Sequence, residues 1–354
     1  MSSQIRTAMG RATDAIDTLR AIVFQVVAIL FAFIVGAVVL YVTGYSPVDA
    51  YTAMASGAFG DIFGVGQTLM QSTPIIFTSL AFLVSYKAGL FNIGAEGQFL
   101  MGAIAAAFAG IYLEGLPWVI HVPLVLLASM IAGGFWGLIP AVLKSRFEAH
   151  EVITTMMLSY VAQYFTSYLV NYPLKAPGWV SQTVRLPVSA ELERILPPTQ
   201  LSSGIYIAGV LVIVVWFLLR KTILGYELRA IGLNPSAAET AGININRGII
   251  VSMVLSGAIA GLGGAVEIMG VHKRFIDGFS PGYGWDGLAV ALVGGLDPFG
   301  SMLASILFGA LRSGGMIMSR STGVPLDINT LLQGLVILFV AAPTLIRSLL
   351  RRKK

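Results

Sequence analysis

Three polar side chains lie close together in a part of the sequence that is otherwise apolar. The stretch FNIGAEGQFLMG, which begins at Phe91, contains Asn92, Glu96 and Gln98. Together they supply amide donors, amide acceptors and one carboxylate. This inventory suits a neutral solute with hydroxyl groups and ring-edge donors and acceptors, and Phe91 or Phe99 is suited to stacking on a flat ring.

A second interpretation of the same residues is structural. An ionisable group at membrane depth is costly and is turned toward protein or water. Glu96 is therefore expected to line an interior, where Gly94 and Gly97 would allow a helix to break. Alternatively, Glu96 bonds a neighbouring helix or pairs with Lys87 and holds helices together. Both alternatives stay open.

The composition predicts an all-α integral membrane protein. Of 354 residues, 56% are hydrophobic and 11% are charged, whereas soluble domains average about 45–50% and 25%. The absence of cysteine excludes disulfides and thiolate sites. The net charge of +5 is spread between apolar runs and does not form one basic face, so no nucleic-acid partner is expected.

Catalytic and metal sites are not expected. His121, His150 and His272 are scattered without ligand spacing, and no nucleophile converges with an acid and a base. The sequence contains no phosphate loop of the pattern GxxxxGK followed by Ser or Thr. Any ATP hydrolysis must therefore occur on a separate polypeptide.

Apolar runs predict about ten transmembrane helices in a single domain, 1–354, whose membrane bundle occupies 21–346. A helix needs about 20 residues to cross the hydrocarbon. The predicted spans are 21–43, 68–86, 98–113, 119–143, 152–170, 203–219, 249–271, 286–299, 300–318 and 329–346. A polar break at Asp297 and Pro298 separates two short glycine-rich pieces, which predicts a broken or re-entrant helix.

The distribution of lysine and arginine predicts that both termini are cytoplasmic. Most of these cations fall in segments on one side, in keeping with the positive-inside rule, and ten crossings return the chain to that side. On this topology 171–202 is an external loop and 220–248 is a cytoplasmic segment. The loop is rich in proline and is either functional or a solvated crossover.

Trp285 and Asp286 open the eighth predicted span, directly after the glycine-rich GFSPGYG. Trp285 also suits an anchor at the membrane interface. In the preceding span Glu267 is expected to pair with Lys273 or Arg274. The candidate residues of a solute path are Phe91, Asn92, Glu96, Gln98, Trp285 and Asp286.

A short capped helix is predicted in the cytoplasmic segment. The Asn234 side chain can accept a hydrogen bond from a first-turn amide, Pro235 fits the first helical position, and Gly242 can adopt the left-handed conformation that ends a helix. Alternatively, this is a surface turn between two spans. The other helix residues are mostly small and would admit another protein surface: Ala237, Ala238, Glu239 and Ala241.

These stretches resemble one family. GLNPSAAETAGIN is similar to the cytoplasmic coupling helix of ABC importer permeases, which sits in a groove of the ATPase subunit. FNIGAEGQFLMGA, EAHEVITTMMLSY and GFSPGYGWDGLAVALVGGLDPFG resemble the permeases of ribose and branched-chain amino acid importers, especially the nucleoside and simple-sugar branch. The resemblance extends from about Gln67 to Ala342 and is greatest to the larger of two paired permeases.

The resemblance implies a permease subunit of an ATP-binding cassette importer in the bacterial inner membrane, with no cofactor of its own. An extracytoplasmic substrate-binding protein would deliver a nucleoside, a second permease would complete the path as a heterodimer or homodimer, and a separate ATPase subunit would bind ATP. Simple sugars such as ribose and branched-chain amino acids are alternative solutes. An ion-coupled secondary transporter that uses Glu96 is a further alternative.

Overall fold

The fold is all-helical, as the composition predicts. A computed structural model describes residues 25–351, with side chains for residues 25–340. The predicted cytoplasmic ends of the chain lie outside the described residues. The helices are α1 (Gln25–Val42), α2 (Pro47–Phe59), α3 (Ile62–Lys87), α4 (Ala95–Tyr112), α5 (Trp118–Phe147), α6 (Glu151–Asn171), α7 (Gly204–Lys221), α8 (Ile223–Leu233), α9 (Pro235–Thr240), α10 (Ile245–Glu267), α11 (Tyr283–Val293), α12 (Pro298–Thr322) and α13 (Leu326–Arg351).

Two compact units make up the described chain. The larger is Ala58–Ser313, and the smaller consists of the described parts of Met1–Gly57 and Gly314–Lys354. In the smaller unit the Tyr51 hydroxyl on α2 donates a hydrogen bond to the Phe33 carbonyl on α1 at 2.7 Å. The candidate residues named from the sequence all belong to the larger unit.

Within residues 25–351, seven helices are long and apolar enough to cross a membrane, namely α1, α3, α4, α5, α7, α10 and α12. The Leu326–Val340 part of α13 is a shorter apolar helix. By contrast, α11 has 11 residues and extends roughly 16 Å at 1.5 Å per residue. It therefore reaches about half of the ~30 Å hydrocarbon thickness.

Helix α10 lies at the centre of the larger unit and packs against α3, α4 and α5. Its contact with α5 depends on small residues. A Cβ added at Gly257 would lie 2.3 Å from the Gly133 carbonyl oxygen. The two helix backbones thus approach more closely than any larger side chain permits, as in membrane bundles whose helices associate through glycine.

The break near Asp297 is confirmed, but the two predicted helix boundaries around it are wrong. The predicted spans were 286–299 and 300–318, whereas α11 ends at Val293 and α12 begins at Pro298. Asp297 Oδ1 accepts hydrogen bonds from the Phe299 and Gly300 amides at 3.1 and 3.3 Å. Because a capping aspartate followed by proline starts a helix, Asp297 belongs to the start of α12.

Two further helices, α2 and α8, were not among the predicted elements. Helix α3 also begins earlier than the predicted span 68–86, since Asp61 Oδ1 accepts a hydrogen bond from the Gly64 amide at 2.6 Å and caps the helix. Both differences have one cause. Hydropathy detects apolar length, whereas helix ends and polar helices are set by local hydrogen bonding.

The predicted external loop is held against the π-helical turn that follows α10, Ile268–His272, and the segment after that turn. The Thr183 amide bonds the Phe275 carbonyl at 2.9 Å, and the Leu192 amide bonds the Met269 carbonyl at 3.0 Å. Within the loop, Glu191 pairs with Arg185 at 3.0 Å. Glu191 also forms an ion pair with Lys273, which lies in the segment after α10.

The predicted pairing of Glu267 with Lys273 or Arg274 is therefore wrong. Glu267 Oε1 lies 3.4 Å from His272 Nε2, and Lys273 pairs with the loop. The chain between them forms a π-helical turn, Ile268–His272, and Lys273 is left-handed at φ 58°. The wider π turn and the reversal after it direct Lys273 away from Glu267.

Candidate functional site

Glu96 lies in the first turn of α4 and is almost completely buried, with 8% of its surface exposed. Its Oε2 accepts a hydrogen bond at 2.6 Å from the backbone amide of Gly284, the second residue of α11. The carboxylate thus occupies the N-terminal end of α11, where unpaired amides and the helix dipole stabilise negative charge. The predicted alternative partner, Lys87, is not in contact with it: Lys87 lies on a different cavity, beside Arg220 and Asp297.

The backbones of α4 and α11 touch where this hydrogen bond forms. A Cβ at Gly284 would lie 2.2 Å from the Glu96 amide nitrogen and 2.4 Å from its Cα. Both atoms belong to backbone and cannot move aside without displacing a helix. Glycine at position 284 is therefore required for the carboxylate to reach the end of α11.

An ion pair adjoins this contact. Asp286, in the first turn of α11, pairs with Arg312 of α12 at 2.5 Å, and both side chains are largely buried. The Arg312 guanidinium also lies 5.0 Å from the centre of the Tyr283 ring, within range of a cation–π interaction. We call Glu96, Tyr283, Asp286 and Arg312 the α11 cluster.

Tyr283 connects the α11 cluster to α3. Its hydroxyl donates to Gln71 Oε1 at 3.1 Å, and its carbonyl accepts from Thr78 Oγ1 at 2.8 Å. The start of α11 is therefore fixed by polar contacts to α3, α4 and α12. Since α11 is too short to cross a membrane, these contacts position charged groups at the end of a half-length helix. Such broken helices form ion and solute sites in transporters.

Asn92 and Gln98 form a second, separate network. Asn92 Nδ2 donates to Gln98 Oε1 at 3.0 Å and to Ser256 Oγ at 2.8 Å. Ser256 Oγ in turn donates to the Ala81 carbonyl at 2.7 Å. Both amide side chains are fully buried, and the network joins α3, α4 and α10. This arrangement favours the helix-holding alternative for these two residues, and their contact with solute stays a prediction.

The aromatic candidates occupy three different environments. Phe91 makes an edge-on contact with Phe82, with ring centres 5.1 Å apart. Phe99 is stacked with Phe279 at 5.9 Å and lies beside Tyr283 of the α11 cluster at the same distance. Trp285 is more exposed, with 36% of its surface accessible. Phe99 is thus the aromatic side chain of this stretch that contacts the cluster.

Two residues of the α11 cluster were missed by the sequence analysis, Tyr283 and Arg312. A signal for Arg312 existed. It is the one lysine or arginine that falls within the predicted spans, and an intramembrane cation is a candidate for function. Tyr283 had no comparable signal, because an aromatic residue beside glycines is typical of a membrane interface.

The predicted cytoplasmic helix is present as α9. The Asn234 side chain accepts from the Ala237 amide at 3.1 Å, Pro235 occupies the first position, and Gly242 is left-handed at φ 82°. The local prediction is confirmed in these three features, although the helix ends at Thr240.

Ala238 differs from the expectation of an accessible small face. It is buried, with 4% of its surface exposed, because α9 packs against α8 and α10. Pro235, Ala237 and Glu239 remain exposed. The exposed surface of α9 includes these residues, and the neighbouring Leu233 is 87% exposed.

Comparisons with known proteins agree with this architecture. Residues 64–341 match the family model described as branched-chain amino acid transport system / permease component. The chain is 39% identical to the guanosine ABC transporter permease protein NupP of Bacillus subtilis (strain 168), over 96% of this chain and 98% of that protein.

Two other relatives are similar over most of their length. The nucleoside ABC transporter permease protein NupB of Lactococcus lactis subsp. cremoris (strain MG1363) is 34% identical over 95% of this chain and 94% of its own. The glucose ABC transporter permease protein TsgB13 of Haloferax volcanii is 36% identical over 89% of this chain and 86% of its own. The chain, an integral membrane protein, therefore belongs to the permease-component family of the branched-chain amino acid transport system.

Proposed function

We propose that this chain is the permease subunit of an ABC importer and forms part of the translocation path for nucleosides. The observation that carries the proposal is the end-to-end similarity to a guanosine permease, which covers 96% of this chain. A permease named for nucleosides is also similar over 95% of the chain.

The proposed path includes the α11 cluster. Glu96, Asp286 and Arg312 provide charged donors and acceptors at the start of a half-length helix, and Phe99 and Tyr283 provide rings beside them. The charged side chains are suited to bind the hydroxyls and base edges of a nucleoside, and the aromatic rings are suited to stack on its flat base. Trp285, at the rim of the same helix, is proposed as a further contact.

The proposed topology has ten crossings with both ends of the chain in the cytoplasm. In the described part of the chain, seven helices are long and apolar enough to span a membrane. Helices α6 and α13 are proposed as two more crossings, and α11 with the segment before it as a broken tenth. This count keeps 220–248 on the cytoplasmic side and 171–202 outside.

Coupling to ATP is proposed to occur through α9. Its capped first turn and exposed residues form a compact projection that another protein surface can enclose. A separate ATPase subunit would bind ATP and move α9, so the permease itself would need no cofactor. A second permease subunit and an extracytoplasmic substrate-binding protein complete the proposed assembly.

A simple sugar is the second candidate solute, because the glucose permease of Haloferax volcanii is 36% identical. The test is uptake of labelled guanosine, adenosine, ribose, glucose and leucine by vesicles that contain the assembled importer, with and without ATP. We expect ATP-dependent uptake of nucleosides. Transport of glucose or leucine without uptake of nucleosides would overturn the substrate assignment, and transport without ATPase subunits would overturn the ABC assignment.

A further inference from the structure

A basic cavity lies outside the α11 cluster. It has a volume of about 460 Å³, within the range of small-molecule sites of roughly 300–1,000 Å³. The cavity lies where the C-terminal ends of α3 and α7 meet α8 and the start of α12. Its lining residues are Lys87, Trp216, Leu219, Arg220, Lys221, Arg229, Leu296, Asp297 and Pro298.

The charge of this cavity is strongly unbalanced. Four cations, Lys87, Arg220, Lys221 and Arg229, face one carboxylate, Asp297. Asp297 pairs with Arg220 at 3.0 Å, and Arg229 Nε donates a hydrogen bond to the Gly225 carbonyl of its own helix at 3.2 Å. Like charges in one concavity repel each other, and a bound anion would relieve that repulsion.

Positive residues at cytoplasmic helix ends explain part of this pattern, since Lys87, Arg220 and Lys221 end α3 and α7 and complement helix dipoles. Arg229 lies in the middle of α8, so it does not complement a helix dipole. That explanation also does not account for the convergence of cations from three helices on one cavity. The convergence indicates an anionic ligand.

An apolar surface leads from the cavity along α7. Val210, Ile213, Val214 and Phe217 are each about half exposed and follow the i, i+3, i+4, i+7 spacing of one helix face. The face ends one turn before Arg220 and Lys221, and Trp216 and Leu219 line the cavity itself. A ligand with a negative head and an apolar tail would match both surfaces.

We propose that this cavity binds the phosphate of an anionic phospholipid head group, with an acyl chain lying along the exposed face of α7. The inference uses the proposed orientation, which places the cavity at the cytoplasmic leaflet, where anionic lipids and basic pockets between helices meet. It goes beyond the transport reaction, because it assigns a lipid site to residues outside the α11 cluster.

The test measures lipids that remain bound to the purified importer, by native mass spectrometry after reconstitution in nanodiscs of phosphatidylglycerol mixed with phosphatidylcholine. We expect the importer to retain more phosphatidylglycerol than phosphatidylcholine. The variants Lys221→Gln and Arg229→Gln each leave the Arg220–Asp297 pair intact. Each should weaken phosphatidylglycerol binding about fivefold, and together about 25-fold, as expected for removal of one and two lysine or arginine charges.

Matched controls separate this site from general charge effects. Arg247→Gln removes one exposed cation near the start of α10 and should leave lipid retention unchanged, and Arg229→Lys should keep binding within about twofold. Size-exclusion profiles verify that each variant is folded. Equal retention of the two lipids, or equal losses in Arg247→Gln and Arg229→Gln, would overturn the proposal.

Two further measurements distinguish a lipid phosphate from a soluble anion, and a bound lipid from a docked protein. Inorganic phosphate or glycerol phosphate that displaces phosphatidylglycerol at millimolar concentration would overturn the lipid assignment in favour of a soluble anion. If the importer that carries both Lys221→Gln and Arg229→Gln loses its ATPase subunit but retains lipid unchanged, the cavity is a protein-docking site instead.

Discussion

The carboxylate of Glu96 accepts a hydrogen bond at 2.6 Å from the amide of Gly284, 188 residues later in the chain. This contact places a buried carboxyl group at the N-terminal end of α11. The same helix holds Asp286 against Arg312, so two acidic groups and one basic group are brought to one helix end. The first three predictions concern these residues.

Glu96→Gln retains an oxygen acceptor for the Gly284 amide but removes the charge. We expect about tenfold slower nucleoside uptake by a variant that assembles normally, because a neutral amide interacts more weakly with the end of α11. The measurement is uptake by vesicles together with the yield of assembled importer. Glu114→Gln, which changes an exposed carboxylate beyond the other end of α4, serves as the control. Wild-type uptake from stable Glu96→Gln protein would show that the charge is not required.

Gly284→Ala should destabilise the protein by about 1–3 kcal/mol or more, because the added Cβ would lie 2.2 Å from the Glu96 amide nitrogen. Thermal unfolding in detergent measures the loss. Gly209→Ala is the matched control, since a Cβ there has no neighbour within 4 Å and alanine favours a helix by up to about 1 kcal/mol over glycine. Equal melting temperatures for both variants would contradict the close contact of α4 and α11.

Asp286 and Arg312 form a buried pair, so removing one partner should cost about 3–5 kcal/mol. We expect a large drop in melting temperature for Asp286→Leu and for Arg312→Met. The double variant should recover most of the stability, because replacing both charges by apolar groups is often neutral. It should not recover uptake. Additive losses of stability would show that the two side chains do not interact, and Arg320→Gln controls for loss of an exposed cation.

Ser256→Ala tests the structural interpretation of the second network. The variant removes an acceptor for Asn92 and a donor to the Ala81 carbonyl. We expect a loss of about 1–3 kcal/mol of stability from the unsatisfied buried groups, with the KM for nucleoside uptake unchanged. A changed KM at unchanged stability would instead place Asn92 and Gln98 in contact with solute.

Adjacent alanines in α9 separate docking from folding. Ala237 is exposed, whereas Ala238 is buried against the neighbouring helices. Ala237→Leu should reduce copurification of the ATPase subunit and ATP-driven uptake without a change in melting temperature. Ala238→Leu should lower the melting temperature by overpacking, at a cost of about 1–3 kcal/mol. Unimpaired ATPase binding by Ala237→Leu would contradict docking through this face.

Local sequence signals were sufficient to predict some of the helices. Asn234 followed by Pro235 specified the start of α9, because a cap needs only a side-chain oxygen and amides within three residues. The long apolar runs likewise indicated the spanning helices, since crossing the hydrocarbon depends on length and apolarity. These features are properties of short segments and therefore follow from the sequence.

Contacts between distant parts of the chain could not be predicted from the sequence in the same way. Glu96 was paired with the nearby Lys87 in one interpretation, but its partner is the Gly284 amide, which no side-chain pattern reveals. Lys273 was expected to contact Glu267 and instead reaches Glu191, because a π turn changes its direction. In both cases the partner is chosen by how the helices pack, and this information is distributed over the whole chain.

The loop after α6 is fastened to the π-helical turn that continues α10, and to the segment after it, by four backbone hydrogen bonds. They are made by the pairs Thr183–Phe275, Leu186–Lys273, Leu192–Met269 and Asp277–Ser181. Separating the loop from α10 would break them together, whereas moving both as one body breaks none. A displacement of the loop is therefore transmitted through the π-helical turn Ile268–His272 to α10, the central helix of the larger unit. On the proposed topology, a substrate-binding protein that docks on this loop would be mechanically connected to the helix at the centre of the bundle.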